Sequence, residues 1–522
     1  MKKLCLLMIS IVLLLALFAG CTQNGAIQPG VPAGPTGEKT QPDNTLEDIL
    51  AGEKPVLKYL GYSASFDPNK DIMASVLEDI TGYKVEYSML PAENANEKLA
   101  MEVSSGASYD IIQVSPSQFQ QLVGQGALLP LSDLLSQYGG NIMEAIGDTS
   151  WKTCQSENGE TYAVPYKFPY PNEVNEFIIC RKDLLDAANI AIPTTLDEFH
   201  EVLQAVKEAY PDLIPFTGPV RNMAIGVDWV IPKVISSAFN IYDDWQFEDG
   251  KLISLVQNPR TRDMLQYMRT LYNEELIDSE WVINTTTTVN EKFSSGLAVM
   301  SIGNRDTANA VIPVMKKNIG GLELGYIRPL TGSNGERAYV TNESISRFTV
   351  IPRNAQNAEH AMNWLNAKQE IKNFTKISIG DEGVHYKHEG DAYRPIMPIF
   401  SEERTNANWY INTTDEKEFG KMWLARVRKS EAMWEAFNGA TLSGKEGEKD
   451  FFVHDIIGLM PPMENITKYN TSLNTMMNDY FQKIIAGANS IDTYDSFLVE
   501  WEKAGGTKVF EEVNVWYQNF NK

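Results

Sequence analysis

Cysteine is scarce in this chain: Cys5, Cys21, Cys154 and Cys180 are the four in 522 residues. No C-x-x-C and no H-E-x-x-H occurs, so no metal centre is assigned. His385-Tyr-Lys-His388 would put two imidazoles one helical turn apart, but a lone H-x-x-H is a weak zinc signal. G-x-S-x-G, a phosphate loop and a Cys/His pair at motif spacing are all missing, which removes the commonest signatures of covalent and phosphoryl chemistry. Positive charge is in deficit, with 45 Lys and Arg against 68 Asp and Glu, a net charge of −23. That argues against nucleic acid and against direct docking on anionic lipid. It also disfavours a polyanionic ligand unless a local basic patch overrides the field. No repeat of 20 to 50 residues is visible. One apolar run stands out, Leu4 to Phe18, and it is shorter than the ~20 residues that span a bilayer.

That run follows Lys2 and Lys3, the charged head and apolar centre of a secretory signal peptide (1–20). It ends in "LFAGC", residues 17–21, which resembles a bacterial lipobox, with Phe18 where lipoboxes usually carry Leu, Val or Ile. In a lipobox the Cys is lipid-modified and becomes the new N-terminus. Each buried acyl methylene contributes ~0.8 kcal/mol, so chains on Cys21 would hold a soluble domain at the extracellular face of the cell membrane. Residues 24–44, rich in Gly, Pro, Thr and Gln, read as a flexible tether within 21–53. Cys154 and Cys180 remain in the mature fold, either as a disulfide, which an exported protein permits, or as two separate buried thiols.

The remaining length is too great for one core. "PVLKYLGYS" (55–63) reads as a strand, "NKDIMASVLEDITG" (69–82) as a helix stopped by Gly82, and "KVEYSML" (84–90) as a second strand. A helix over 93–105 and the strand "YDIIQV" (109–114) follow, with Ser115 as N-cap and Pro116 at the first helical position. This alternation predicts a parallel sheet with right-handed crossovers. The pattern resumes at 176–210, where Thr195 and Glu198 form a capping box. At 289–315 it reads helix, Gly296 stop, strand over 297–302, helix. Two α/β units result.

Several stretches carry a family resemblance in consistent order. They are "YDIIQVSPSQFQQLVGQGALLPLSDLL" (109–135), "NGETYAVPY" (158–166), "ICRKDLLDAANIAIPTTLDEF" (179–199), "EKFSSGLAVMSIGN" (291–304), "AEHAMNWLNA" with "GDEGVHY" (358–367, 380–386), and "WEKAGGTKVFEEVNVWY" (501–517). The chain resembles the extracellular solute-binding proteins of sugar ABC transporters, family 1, the group that includes maltose-binding protein. It is most similar to lipid-anchored oligosaccharide binders. The resemblance implies an α/β two-lobe periplasmic-binding-protein-like fold, each lobe a mostly parallel sheet flanked by helices, joined by a multi-strand hinge. Residues 54–166 plus 304–372 would form the N-lobe and 167–303 plus 373–522 the C-lobe. It further implies a monomer, without enzymatic activity or cofactor, that delivers an oligosaccharide to two permease subunits. Many relatives carry an acidic calcium loop before the segment equivalent to "IPFTG"; here "YPDL" (210–213) fills that place.

Ligands of open α/β sheets sit off the carboxyl ends of strands, near helix N-termini. The candidates there are Tyr62 and Ser63, Ser115 and Ser117, and Asn304 and Arg305. Sugars stack an apolar face on a ring while fixed polar groups take the hydroxyls. The Pro-broken loop "YKFPYPNEVN" (166–175) offers Tyr166, Phe168, Tyr170 and Glu173. Trp229 is similar in placement to a binding-protein aromatic, and Trp409 with Tyr410 lies in a polar, helix-poor stretch. Trp364, Trp423 and Trp434 sit at helical spacing among apolar neighbours and read as core; Trp501 and Trp516 read as structural. Arg221, Arg305 and Arg394 could serve an acidic sugar. The alternatives are a surface glycan-degrading hydrolase or lyase, with Asp381 and Glu382 among many available carboxylates, a binder of another solute such as a peptide, and a permease-independent sensor or adhesin.

Overall fold

The computed structural model describes residues 52–520 apart from 93, 156–158, 171, 219–230, 342–343, 443–450, 455–459 and 461–462. The lipobox with Cys21, the tether, Arg221 and Trp229 lie outside the described residues.

Two sheets organise the chain. The first holds β1 (Leu57–Gly61), β2 (Val85–Met89), β3 (Ile111–Val114), β4 (Val164–Lys167) and β9 (Ile345–Val350), in the order β2-β1-β3-β9-β4. The second holds β5 (Phe177–Arg181), β6 (Ile214–Thr217), β7 (Ala298–Gly303) and β8 (Leu324–Ile327), in the order β8-β5-β7-β6. β1 runs parallel to β2 and β3, and β9 is antiparallel to β3 and β4. β7 is parallel to β6, and β5 is antiparallel to β7 and β8. The sheets are therefore of mixed orientation, yet one strand alone is reversed in each, β9 and β5. Both are the first strand laid down after the chain arrives from the other sheet. A chain that enters across the shared seam must start at the seam and run away from it, opposite to strands wound by helical crossovers.

Local signals act as expected. In α1 (Ile72–Thr81) the Asp71 side chain accepts from the Met73 N–H, and Gly82 closes the helix at φ 69°, a left-handed value that glycine adopts without strain. α2 (Pro116–Gly124) starts with a capping box between Ser115 and Gln118, and α3 (Leu196–Ala209) with one between Thr195 and Glu198. Phe199, Leu203 and Val206 of α3 are fully buried, each contributing about 1.5–3 kcal/mol through removal from water.

The remaining helices show which sheet each segment serves. α4 (Arg305–Asn318) packs on α8 (Glu431–Phe437) and belongs with the second sheet. α5 (Ala358–Gln369) packs on α1, and α6 (Ile371–Ser378) on α1 and on α7 (Phe419–Val427), all on the first sheet's side. The segment 304–327, expected in the N-lobe, is thus part of the second sheet, because β8 finds its hydrogen-bond partner in β5. The segment 373–427, expected in the C-lobe, packs on the first sheet: Arg404 is buried against Met73, and Asn412 donates to the Tyr59 hydroxyl at 3.1 Å. The chain changes sheet within 168–176, 328–344 and 428–430.

Cys154 sits in the first core near Ile112 and Phe348, and Cys180 in the second near Phe199 and Phe216. Both are free thiols, so the disulfide left open by the sequence is not formed. Burial pushes the Cys180 thiol up to about 12 and raises that of Cys154 as well.

Candidate functional site

The seam between the sheets is built where strands end. β4 leads into Phe168, and β7 ends at Gly303, after which Asn304 caps α4. The Asn304 Oδ1 accepts the N–H groups of Asp306 and Thr307 at 2.9 Å. This cap turns Arg305 toward the first sheet's side. Its guanidinium lies 5.0 Å from the ring of Trp423 on α7, and it pairs with the buried carboxylate of Glu173 in the first connecting segment. Phe168 meets the same indole edge-on at 5.8 Å. Residues from both lobes and from the connection thus converge on Trp423.

Three buried polar atoms in this cluster have no hydrogen-bond partner among the described residues: Glu173 Oε2, Arg305 Nε and Trp423 Nε1. The Asp306 carboxylate stands 3.9 Å from Arg305 Nε, too far for a hydrogen bond. A buried group left unpaired costs about 1–3 kcal/mol. One acceptor and two donors meet here, a set that ligand hydroxyls, which both donate and accept, would complete.

A second group lies on the first sheet. At the irregularity in β9 between Ile345 and Arg347, the Arg347 guanidinium is set over Tyr166 at 4.0 Å and over Tyr62 at 4.8 Å. The Tyr166 hydroxyl donates to Asn408 Oδ1 at 2.9 Å. Beneath them Arg426 is buried, and it donates to the carbonyls of Ser378, Arg404 and Thr405 at 3.2, 3.0 and 3.1 Å. Burial brings its pKa down to about 10, still charged at neutral pH. Lys429, in the third connection, is also lowered, first by burial and then by Arg426.

On the second sheet, a charged network steadies the end of β6. Lys292 Nζ donates to Asp278, Glu280 and Asn284 at 2.7, 2.6 and 2.9 Å. Asn284 in turn donates to the Gly218 carbonyl at 3.3 Å.

The sequence candidates divide clearly. Tyr62, Tyr166, Phe168, Glu173 and Arg305 face the seam groups just described, and Asn304 positions Arg305. Tyr170 packs at 5.4 Å from Phe437, in the small cluster around Val427 and Met433. Ser63 is half-buried just past β1. The Ser115 hydroxyl takes the Gln118 N–H at 3.3 Å and bonds the Ser117 hydroxyl at 3.0 Å, so both belong to the cap.

Trp409 and Tyr410 pack inside the first lobe, 4% and 2% exposed; Tyr166 and Glu173, at 3% and 2%, are buried as deeply and stand out by their contacts with Arg347 and Arg305. The Trp409 ring meets Tyr59 and Tyr87 at 5.5 and 5.7 Å, and its Nε1 donates to the Tyr62 carbonyl at 3.0 Å. Their polar neighbours misled the reading, because Asn406, Asn408 and Asn412 bond Asp71, Tyr166 and Tyr59 inside the first lobe. Trp423, which the sequence reads as core, is partly buried: it packs on the cluster of Val427, Met433 and Phe437 and also reaches Arg305 and Phe168. Arg347 carries no sequence signal beyond a strand position.

The remaining candidates hold structural roles. His388 lies on a strand, Tyr386–Glu389, rather than one helical turn from His385. His385 accepts the Asp381 N–H on Nδ1 and contacts Glu403 through Nε2, both at 2.9 Å. Asp381 pairs with Lys376 at 2.9 Å. Among the described residues no group of His, Cys, Asp and Glu is placed to hold a metal ion.

The family model for bacterial extracellular solute-binding proteins matches residues 64–370, more than half of the chain. The chain belongs to that family. Among relatives of this solute-binding protein, lipoprotein LipO of Bacillus subtilis (strain 168) is 24% identical over 518 residues, covering 90% of this chain and 93% of its own. A carbohydrate ABC transporter substrate-binding protein of Streptococcus pneumoniae serotype 4 is 24% identical over 420 residues, 76% of this chain and 81% of its own. An uncharacterised protein from the butB 5′ region of Niallia circulans is 31% identical over 263 residues, half of this chain and all of its own. The fold is shared with the S. pneumoniae substrate-binding protein FusA in complex with kestose, at TM-score 0.67, 19% identity and coverage of 90% and 99%. It is also shared with an extracellular solute-binding protein of Bifidobacterium longum subsp. infantis, at TM-score 0.68, 16% identity and the same coverage. Both comparisons support a two-lobe architecture for this solute-binding protein.

Proposed function

We propose that this solute-binding protein captures an oligosaccharide at the seam between its lobes and delivers it to the two permease subunits of an ABC transporter. The carrying observation is the convergence at the partly buried Trp423 indole of Phe168 and the unpaired polar atoms of Glu173, Arg305 and Trp423 itself. Flat apolar surface beside fixed donors and acceptors is what a sugar ring with its hydroxyls requires. Carbohydrate-binding relatives and the sugar-bound FusA fold add weight. Tyr62, Tyr166, Phe168, Glu173, Arg305 and Trp423 would line the site, and Trp229, outside the described residues, stays a candidate from the sequence alone. Ligand binding draws the lobes together about the three connections, and the closed form docks on the permease.

In this reading residues 1–20 are a cleaved signal peptide. Acyl chains on Cys21, palmitate among them, anchor a monomer to the outer face of the cell membrane through the 21–53 tether. The protein works as a carrier, not an enzyme.

Titration calorimetry of the chain lacking residues 1–21 against a panel of plant and bacterial-wall oligosaccharides tests the binding. One glycan should bind and raise the melting temperature; heat from none would overturn the proposal. For the anchor, Cys21→Ser should release the protein into the medium, and retention at the membrane would refute lipidation.

A further inference from the structure

The seam is basic inside an acidic protein. The chain carries a net charge of −23, yet Arg347, Arg426, Lys429 and Arg305 gather along one side of the seam. Arg426 lies within electrostatic reach of Tyr62, Tyr166 and Lys429, and Lys429 within reach of Asp306. Among the described residues, two carboxylates stand against these four cations. Glu173 is already engaged with Arg305, and Asp306, 3.9 Å from the same side chain, is exposed.

Arg347 has no carboxylate partner among the described residues, and Arg426 gives its bonds to carbonyl oxygens. The stacking of Arg347 on Tyr166 and Tyr62 is significant. It holds the guanidinium against two rings, so the fork is held in place where a ligand carboxylate could meet it. A planar fork held in this way fits a carboxylate through two parallel hydrogen bonds. Neutral sugar hydroxyls need no such surplus of charge, and gathering four cations, of which Arg305, Arg426 and Lys429 are desolvated, is unfavourable unless an anion joins them.

We infer that the oligosaccharide is anionic, a uronate-containing chain whose carboxylate is read by Arg347, with Lys429 completing the local field. This rests on the sugar-binding reading and narrows it. The whole-chain charge does not forbid it, because the long-range field governs approach while the local cations govern contact. Approach should accordingly become easier as salt screens the repulsion, while the buried contact weakens little.

Calorimetry with oligosaccharides of two to four galacturonate, glucuronate or mannuronate units, each beside its carboxyl-reduced neutral counterpart, tests the inference. At least one acidic member should bind ten- to a hundredfold more tightly than its neutral partner. Arg347→Met should collapse that ratio toward one and Arg347→Lys should restore part of it. Lys429→Met should reduce it severalfold, a second reading should Arg347→Met fail to fold. Neutral chains binding as well as acidic ones, or a ratio unmoved by both substitutions, would overturn the inference and leave the oligosaccharide carrier standing. Silence toward every glycan, acidic or neutral, would overturn both.

Discussion

Replacing Trp423 by Ala separates a binding surface from a packing residue. The indole meets Arg305 at 5.0 Å and Phe168 at 5.8 Å, and its N–H has no partner. The cation–π contact contributes about 0.5–1 kcal/mol at a partly exposed site, and the ring pair about 0.5–1.5 kcal/mol. Losing both costs about 1–2.5 kcal/mol of stability, before the loss of buried ring area is counted. Tryptophans at the centre of a binding surface commonly carry about 2–3 kcal/mol of affinity. Since 1.4 kcal/mol is a tenfold change, Trp423→Ala should weaken binding about 30- to 150-fold. Trp423→Phe keeps a ring and loses the donor, so about tenfold is expected. Trp364, at 1% exposure, is the contrast: its truncation should cost about 3–5 kcal/mol of stability with affinity of the folded protein unchanged. Urea denaturation and calorimetry on the same preparations read both quantities. The reasoning is refuted if Trp423→Ala destabilises as much as Trp364→Ala while its folded fraction binds normally.

Acid should act on the second lobe through Asp278. Burial alone would raise this carboxyl, but bonds from Lys292, Asn284, Thr217 and the Glu280 N–H outweigh burial and hold it below the usual carboxylate range. A folded pKa below the unfolded value of about 3.9 means the stabilisation is whole above that pH and is lost as pH falls through the folded value. Lys292→Met should cost about 3 kcal/mol, the low end for a broken buried pair, and should flatten the acid-side loss in a pH series of melting curves. Gly61→Ala would place a Cβ 2.6 Å from the Trp409 ring and 2.8 Å from that of Tyr59; about 1–3 kcal/mol of overpacking strain should appear as a lower urea midpoint. With Cys21 replaced by Ser and the leader removed, a thiol reagent should find no reactive cysteine in the native protein and two in denaturant, and reductant should leave the melting temperature unmoved.

Much of the architecture was legible locally. Ser115 with Pro116, Thr195 with Glu198, and Gly82 announce helix ends through hydrogen bonds made within a few residues, so a linear reading finds them. The lobe assignment of 304–327 and 373–427 was not legible in that way. It depends on β8 finding β5 and on Asn412 finding Tyr59, pairings more than a hundred residues apart that leave no periodic trace. The site divides along the same line. Glu173, Phe168 and Arg305 sit beside strand ends and helix starts, where position alone suggests exposure to a ligand. Trp409 was not placed by the sequence because burial is decided by the partner surface: a polar loop can be spent on bonding a core.

The three sheet-to-sheet connections have a consequence for how the molecule fails. Neither half is a contiguous stretch of sequence, so a protease that severs one link would leave the halves laced together by the other two. Such a nicked protein should run as a single body on a sizing column and separate into fragments only in denaturant. During synthesis the same lacing has a cost in time, since the first sheet lacks its inner strand β9 until residue 350 has emerged, and both halves must wait for most of the chain.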